Sequence, residues 1–481
     1  RRGERLHDRS RAVRRPDGAH RAGHVAGVRL RGGTPVVAAL RVAACTFSRE
    51  ITILPHRLAR PTPIGLVNSY NAEEQLQRGY IPEVSEFLAG PGGRSLDAVR
   101  LDRLAGQVLL ERGDFHGAAP RLERALTSTG RGSDRADLAW LLSQAAYWEG
   151  NFPAAGRWGR VAQREGKGVP DGWLVFLESQ AARVLYGGAA AGERLSLPVG
   201  FGRPNLLRVA VRVNGRPAEE MVLDSGASLS LLTESAAARL GVTFVPGATA
   251  VAKGLHEADL PMRLGWVDSV RVGDLTLTDV PVGVLPDGML TFETISSGVF
   301  RLNGVLGVHL MKELDWRIEF ADRLLHARRL DRRVLRGSKD QNLFFRRMKP
   351  MARASLNGQP WALFLLDTGS EPSMITRGGL RKTRLFEPEA AYPITLEGIG
   401  QSRVSWAKIS NVTVGVSAYM VRFKDIVVKE ESDGIEDGIL GASFLTSFDV
   451  EIRFGSMTLV LENPLERHLR QTKAAPQEIA R

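Results

Sequence analysis

Two stretches of this chain repeat each other at a constant offset, and that repetition limits what the chain can fold into. Val213-Asn214-Gly215-Arg216-Pro217 precedes Met221-Val222-Leu223-Asp224-Ser225-Gly226-Ala227-Ser228. Leu356-Asn357-Gly358-Gln359-Pro360 precedes Phe364-Leu365-Leu366-Asp367-Thr368-Gly369-Ser370. Residue 214 maps onto 357 and residue 224 onto 367 without a gap. Each Asn-Gly pair predicts a hairpin turn, and each turn feeds an apolar strand that ends in Asp-Ser/Thr-Gly. Further on, Gly304-Val305-Leu306-Gly307 is echoed by Gly438-Ile439-Leu440-Gly441, and each is followed by a closing strand around Trp316 or Val450. Short apolar runs bounded by Gly, Asn, Asp and Pro continue from Leu206 to Leu461, which argues an all-β region built from many short strands.

The rest of the chain is organised differently. From about residue 71 to 185, apolar residues recur at three- and four-residue spacing, as in Leu101, Leu104 and Val108, and predict helices. Gly113-Asp114-Phe115 and Gly150-Asn151-Phe152 interrupt that pattern alike, and each is followed by small residues at helical spacing (Ala118 and Ala125; Ala155 and Ala162). This resembles the tetratricopeptide repeat, TPR, over two degenerate copies. It implies a groove for a protein partner; a plain helical hairpin domain accounts for the pattern equally well. Gly187-Gly188-Ala189-Ala190-Ala191-Gly192 is a flexible-linker signal. The expected domains are a basic leader over 1–70, a helical domain over 71–186, β lobes over 196–330 and 340–465, and a tail over 466–481.

The charge is confined to the leader. In residues 1–60, 14 arginines against four acidic residues account for +10 of the formal +12, leaving +2 for the remaining chain. A phosphate-binding groove needs cations clustered on a folded face, so no nucleic-acid partner is expected. The basic stretch 328–339 is expected to be a solvated connector between the lobes. Cys45 is the only cysteine, so no intrachain disulfide and no multi-cysteine metal site can form. No apolar run reaches the length of a membrane span. The short apolar segment ending Val42-Ala43-Ala44-Cys45, after an arginine-rich stretch, resembles a bacterial lipoprotein signal, although Arg41 interrupts it. That signal implies a lipid anchor at Cys45 and a periplasmic or membrane-anchored location. Without it, a cytoplasmic location or an unstructured leader is expected.

A lone Asp-Ser/Thr-Gly is weak, since its ordinary use is a turn capped by the aspartate. Two copies change the balance, because each follows an apolar strand, shares its upstream hairpin and precedes a Gly-apolar-apolar-Gly segment. The constellation resembles the retropepsin-like aspartic proteases, the family that includes the two-lobed pepsins, over roughly residues 200–465. The resemblance implies two all-β lobes forming a pseudo-dimer, with Asp224 and Asp367 as a catalytic dyad. It implies that Ser225 and Thr368 tie the two loops together and that Gly226 and Gly369 let backbone approach the carboxylates. Gly307 and Gly441 would back the loops. Flap hairpins would carry Gly254 in the first lobe, and Gly398 and Gly400 in the second. The implied activity is an endopeptidase acting on protein or peptide with an activated water, without metal or other cofactor. No His-Glu-x-x-His occurs, and the scattered histidines are expected as surface or core residues. Two other readings remain: an inactive peptide-binding scaffold on the same fold, and lobes that pair between chains.

Overall fold

The structure, a computed structural model, describes residues 51–55, 67–180, 183–202, 206–253, 259–294, 298–331, 340–383, 394–397, 403–429 and 436–474. Helices occupy the region expected for them, with Ala98–Glu111, Phe115–Thr127, Ser133–Glu149, Phe152–Arg164 and Asp171–Glu178 following one another through short turns. The two similar turns have one construction. Gly113 and Gly150 both end a helix at φ 80°, the left-handed conformation that glycine enters without a Cβ penalty. The next residue caps the following helix. The Asp114 carboxylate accepts from the Gly117 amide at 2.9 Å and the Asn151 side chain from the Ala154 amide at 3.2 Å. Phe115 and Phe152 then enter the core as the first helical residues, while Ala118, Ala125, Ala155 and Ala162 are buried where helices meet.

Two nine-stranded sheets of the β region share one plan. In the first, the order is Gly187–Gly188, Leu275–Leu285, Ser230–Thr233, Gly304–Gly307, Glu219–Asp224, Leu206–Val213, Asp259–Val272, Thr243–Lys253. In the second it is Ile51–Pro55, Tyr419–Lys429, Met374–Thr376, Gly438–Leu440, Gln359–Leu366, Lys349–Leu356, Arg403–Val416, Ile394–Glu397. The repeated Asn-Gly turns open both central hairpins, with Asn214 and Asn357 at φ 50° and 46° and their glycines also at positive φ. A further sheet spans both halves. Its strand Leu314–Glu319 pairs with Asp449–Arg453, placing Trp316 opposite Ile452 and Glu319 opposite Asp449.

Two segments take on roles that local sequence does not suggest. Residues 51–55, within the expected leader, pair antiparallel with Tyr419–Phe423 and form an edge of the second sheet. Gly187 and Gly188, expected in a flexible linker, instead pair with Thr278 and Leu277. A Cβ on Gly188 would lie 2.8 Å from the Thr276 carbonyl, so the glycine serves a close backbone approach.

The helices also share their core with the β region. Trp148, 2% exposed, lies 5.9 Å from the Phe115 ring, 5.5 Å from His309 and 4.5 Å from Phe345 between ring centroids. His309 is fully buried, with Tyr147 and Phe152 also against it. Its ring nitrogens meet the Tyr186 hydroxyl at 2.8 Å and the Tyr147 carbonyl at 2.9 Å. Phe176 stacks on Trp266 at 5.0 Å, and the Trp266 indole donates to Ser179 at 3.1 Å. Trp148→Ala should therefore lower the unfolding free energy by about 3–5 kcal/mol and loosen helices and β region together. Unfolding followed by both far-UV circular dichroism and tryptophan fluorescence checks this. A shift below about 1 kcal/mol, or two separate transitions, would contradict the shared core.

Candidate active site

Each half delivers its aspartate at the end of a central strand. Glu219–Asp224 runs parallel to Gly304–Gly307, with Leu223 beside Leu306 and Asp224 beside Gly307. Gln359–Leu366 runs parallel to Gly438–Leu440, with Leu366 beside Leu440. Beyond these strands the chain closes on the aspartate loop in the same manner, the Val308 amide donating to the Ala227 carbonyl and the Ala442 amide to Ser370, both at 2.8 Å. A side chain at Gly307 or Gly441 would put its Cβ 2.4 Å from the backbone of Leu229 or Pro372. Sequence reasoning missed the hydroxyls that fix these glycines. Ser230 accepts from the Gly307 amide at 3.1 Å, and Ser373 from the Gly441 amide at 3.0 Å. The signal was present, because Ser230 and Ser373 obey the same offset, each as a lone polar residue leading an apolar run.

The two loops meet through reciprocal hydrogen bonds. The Ser225 hydroxyl donates to the Leu366 carbonyl at 2.6 Å and accepts from the Thr368 amide at 3.1 Å. The Thr368 hydroxyl donates to the Leu223 carbonyl at 2.6 Å and accepts from the Ser225 amide at 3.0 Å. Asp224 accepts at one oxygen from the Gly226 and Ala227 amides, at 2.9 and 3.1 Å. Asp367 accepts from the Gly369 amide at 3.0 Å. The glycines serve the opposite half as well. A Cβ on Gly226 would stand 2.5 Å from the Asp367 carboxyl carbon, and one on Gly369 2.3 Å from that of Asp224. The structure thus brings Asp224, Ser225, Gly226, Asp367, Thr368 and Gly369 into one cluster backed by Gly307 and Gly441.

Burial first, and then the neighbouring Asp367, push the Asp224 carboxyl up to about 8, against the pull of the Ala227 and Gly226 amides. Burial also raises Asp367, opposed by the Gly369 amide and by Lys349 and Lys429. A site with one proton on two carboxylates can act as acid and base together. Gly254, Gly398 and Gly400 lie outside the described residues. The strands flanking them do pair, Lys253 with Asp259 and Glu397 with Arg403. Among the described residues no group of three His, Cys, Asp or Glu side chains is arranged to hold a metal ion.

Residues 209–310 match the family model described as "Aspartyl protease", a span that holds Asp224, Ser225, Gly226 and Gly307. No curated protein matches the chain. Among solved structures, the chain is similar to a retropepsin-like aspartic protease from Rickettsia conorii, at 18% identity and a TM-score of 0.19, covering 28% of this chain and 92% of that one. It is also similar to an aspartic proteinase from Irpex lacteus, at 12% identity and a TM-score of 0.35, covering 56% of this chain and 97% of that one.

Two measurements test the cluster. Thr368→Val leaves the Leu223 carbonyl and the Ser225 amide without their partner, and should cost about 2 kcal/mol in denaturant unfolding; Thr368→Ser should stay near native, and equal stability of the two would contradict the bonding described. The folded chain also keeps a proton on Asp224 that the unfolded chain releases. Stability should therefore fall as pH rises from the ordinary aspartate range to about 8. Asp224→Asn should flatten that fall and melt at higher temperature than the native chain at neutral pH, with a much smaller difference at pH about 4. Parallel pH profiles for the two proteins would count against a buried, raised carboxyl.

Proposed function

We propose that this chain is an aspartic endopeptidase whose two halves are retropepsin-like lobes forming a pseudo-dimer, with Asp224 and Asp367 as its catalytic pair. The observation that carries the proposal is the reciprocal bonding of Ser225 and Thr368, which holds two partly or fully buried carboxylates, one from each half, in a single cluster. The ionised member takes a proton from water as its oxygen attacks the scissile carbonyl carbon. The protonated member gives its proton to the carbonyl oxygen. The tetrahedral diol then collapses. Its C–N bond breaks as one carboxyl gives its proton to the leaving amine and a diol hydroxyl passes its proton to the other carboxylate, which restores the shared-proton state. Activation of water requires only these two side chains, so the proposal includes no cofactor.

The substrate in this proposal is protein or peptide. The hairpins that lead to Gly254 and to Gly398 and Gly400 would cover it, and Gly307 and Gly441 would keep the loops in place. The paired helices, TPR-like in sequence, would add a surface for recruiting a protein. Glu123→Lys, at an exposed position of the helix Phe115–Thr127, would then raise KM for a protein substrate and leave that for a short peptide unchanged; equal effects on both would remove recruitment from the proposal. Cys45 lies outside the described residues, and a lipid anchor there has no further support.

The direct test uses the full chain, since helices and β region share a core. An unstructured protein is offered from acid to neutral pH, with and without a statine-type inhibitor. Inhibitor-sensitive cleavage is expected, and Asp224→Asn and Asp367→Asn should each reduce it at least about 1,000-fold. Mixing the two mutants should restore nothing; recovered activity would mean that halves from different chains pair. Absence of cleavage by folded native chain at every pH would refute the enzyme and favour a peptide-binding role.

A further inference from the structure

The two halves correspond position by position around the carboxylates, which makes their differences legible. In the first half the ladder runs to Arg208 opposite Val222, two residues short of Leu206 and of Asp224 on the two strands. In the second half the ladder likewise runs to Met351 opposite Leu365, two residues short of Lys349 and of Asp367. The pairing of Leu285 with Thr233 corresponds to that of Lys429 with Thr376. The Thr233 amide donates to Asn303 and the Thr376 amide to Asp437, both at 3.0 Å, which matches Leu302 with Glu436. Leu206, Leu285 and Leu302 belong to one buried apolar cluster with Val222 and Val305. Their counterparts are all charged. Lys429 reaches Glu436 at 3.0 Å, both are buried, and Lys349 acts on both Glu436 and Asp367.

Replacing three packed leucines by charges carries a desolvation penalty that one ion pair seldom recovers. The exchange sets Lys349 and Lys429 to act on Asp367, while Leu206, Leu285 and Leu302 hold the corresponding places in the half that carries Asp224. We propose, resting on the aspartic-protease reading above, that Lys349, Lys429 and Glu436 are positioning residues that make the pair unequal. Their net positive charge holds Asp367 as the ionised base and leaves the shared proton on Asp224. The groups acting on Asp367 are the Gly369 amide, Lys349, Asp224 and Lys429, with Glu436 bound to Lys429. Those acting on Asp224 are Asp367 and the Ala227 and Gly226 amides. Asp437, next to Glu436, is engaged by the Leu363 amide and Lys382, each at 2.8 Å. A cation near a carboxylate favours its ionised form, so removing Lys349 moves the ionisation of Asp367 to higher pH.

The test labels the full chain isotopically at the aspartate carboxyl carbons and follows their resonances against pH. Asp224→Asn and Asp367→Asn assign the two signals. In the native chain Asp367 should ionise first. In Lys349→Leu its step should move up by about one pH unit, Lys349→Arg should restore it, and the acid limb of kcat/KM should move alongside. The triple variant Lys349→Leu/Lys429→Leu/Glu436→Leu copies the leucines of the first half, removes the net charge of the cluster and should narrow the gap between the two carboxyls. Lys349→Gln gives the same reading should the leucine variant fold poorly. Earlier ionisation of Asp224, or variants that melt and titrate like the native chain, would overturn the proposal. A chain that cleaves with an acid limb unmoved by these changes keeps the protease and loses the role of the cluster. A chain that cleaves nothing, yet ionises in the expected order with the expected shift, loses the protease and keeps the unequal pair.

Discussion

The structure depends on the exchange of hydrogen bonds between Ser225 and Thr368. Two carboxylates brought together out of water repel whenever both ionise, so the loops that carry them need a tie stronger than apolar contact. Each hydroxyl donates to the carbonyl just before the opposite aspartate and accepts from the amide just after it. The tie therefore acts at the two strand ends themselves. It also explains the glycines that follow, since each half's loop passes within a Cβ radius of the other half's carboxyl. Ser230 and Ser373 extend the same logic outward by holding the amides of Gly307 and Gly441, so the backing strands cannot drift from the loops they support.

Away from the site the halves are joined a second time. In the sheet they share, Arg317 bonds Glu462 at 2.9 Å, while Arg467, from the helix Pro464–Ala474, reaches Glu319 at 2.9 Å and Asp449 at 2.7 Å. Burial pushes Asp449 up to about 6 even so. Residues expected to be a tail thus close a charged network over the seam. The helical region closes it from another side. Arg353 of the second half pairs with Glu83 at 3.1 Å, and His309 of the first lies under Tyr147 and Phe152. The close packing of His309, two residues beyond Gly307, couples the helices to the backing of Asp224.

What could be read in advance was what contiguous residues encode. Asn-Gly turns, alternating strands, Gly-polar-Phe helix junctions and the pairing of Asp224-Ser225-Gly226 with Asp367-Thr368-Gly369 each rest on chemistry within a few positions. What escaped depends on register between distant segments. Nothing local marks Ile51–Pro55 as an edge strand, because its partner lies far away at Tyr419–Phe423. Gly187 and Gly188 have the composition of a tether, and only the Thr276 carbonyl beside them makes them structural. The exchange of Leu206, Leu285 and Leu302 for Lys349, Lys429 and Glu436 was equally hidden. The offset that aligns residue 206 with 349 does not carry through to 285 and 302, and only strand pairing aligns those.

That exchange bears on why two halves in one chain differ physically from two copies of one half. A symmetric backbone presents the same strand end, loop and amides to both carboxylates, so it cannot itself decide which one holds the proton. In an assembly of identical chains every substitution appears on both sides, and a lysine introduced beside one aspartate also stands beside the other. A covalent duplication removes that restriction. It allows Leu206, Leu285 and Leu302 in the half that carries Asp224 and Lys349, Lys429 and Glu436 in the half that carries Asp367 while the hydrogen-bonded tie at the centre stays symmetric. On the proposed aspartic-protease reading, acid and base roles would then be assigned before substrate arrives rather than by it, a form of electrostatic preorganisation.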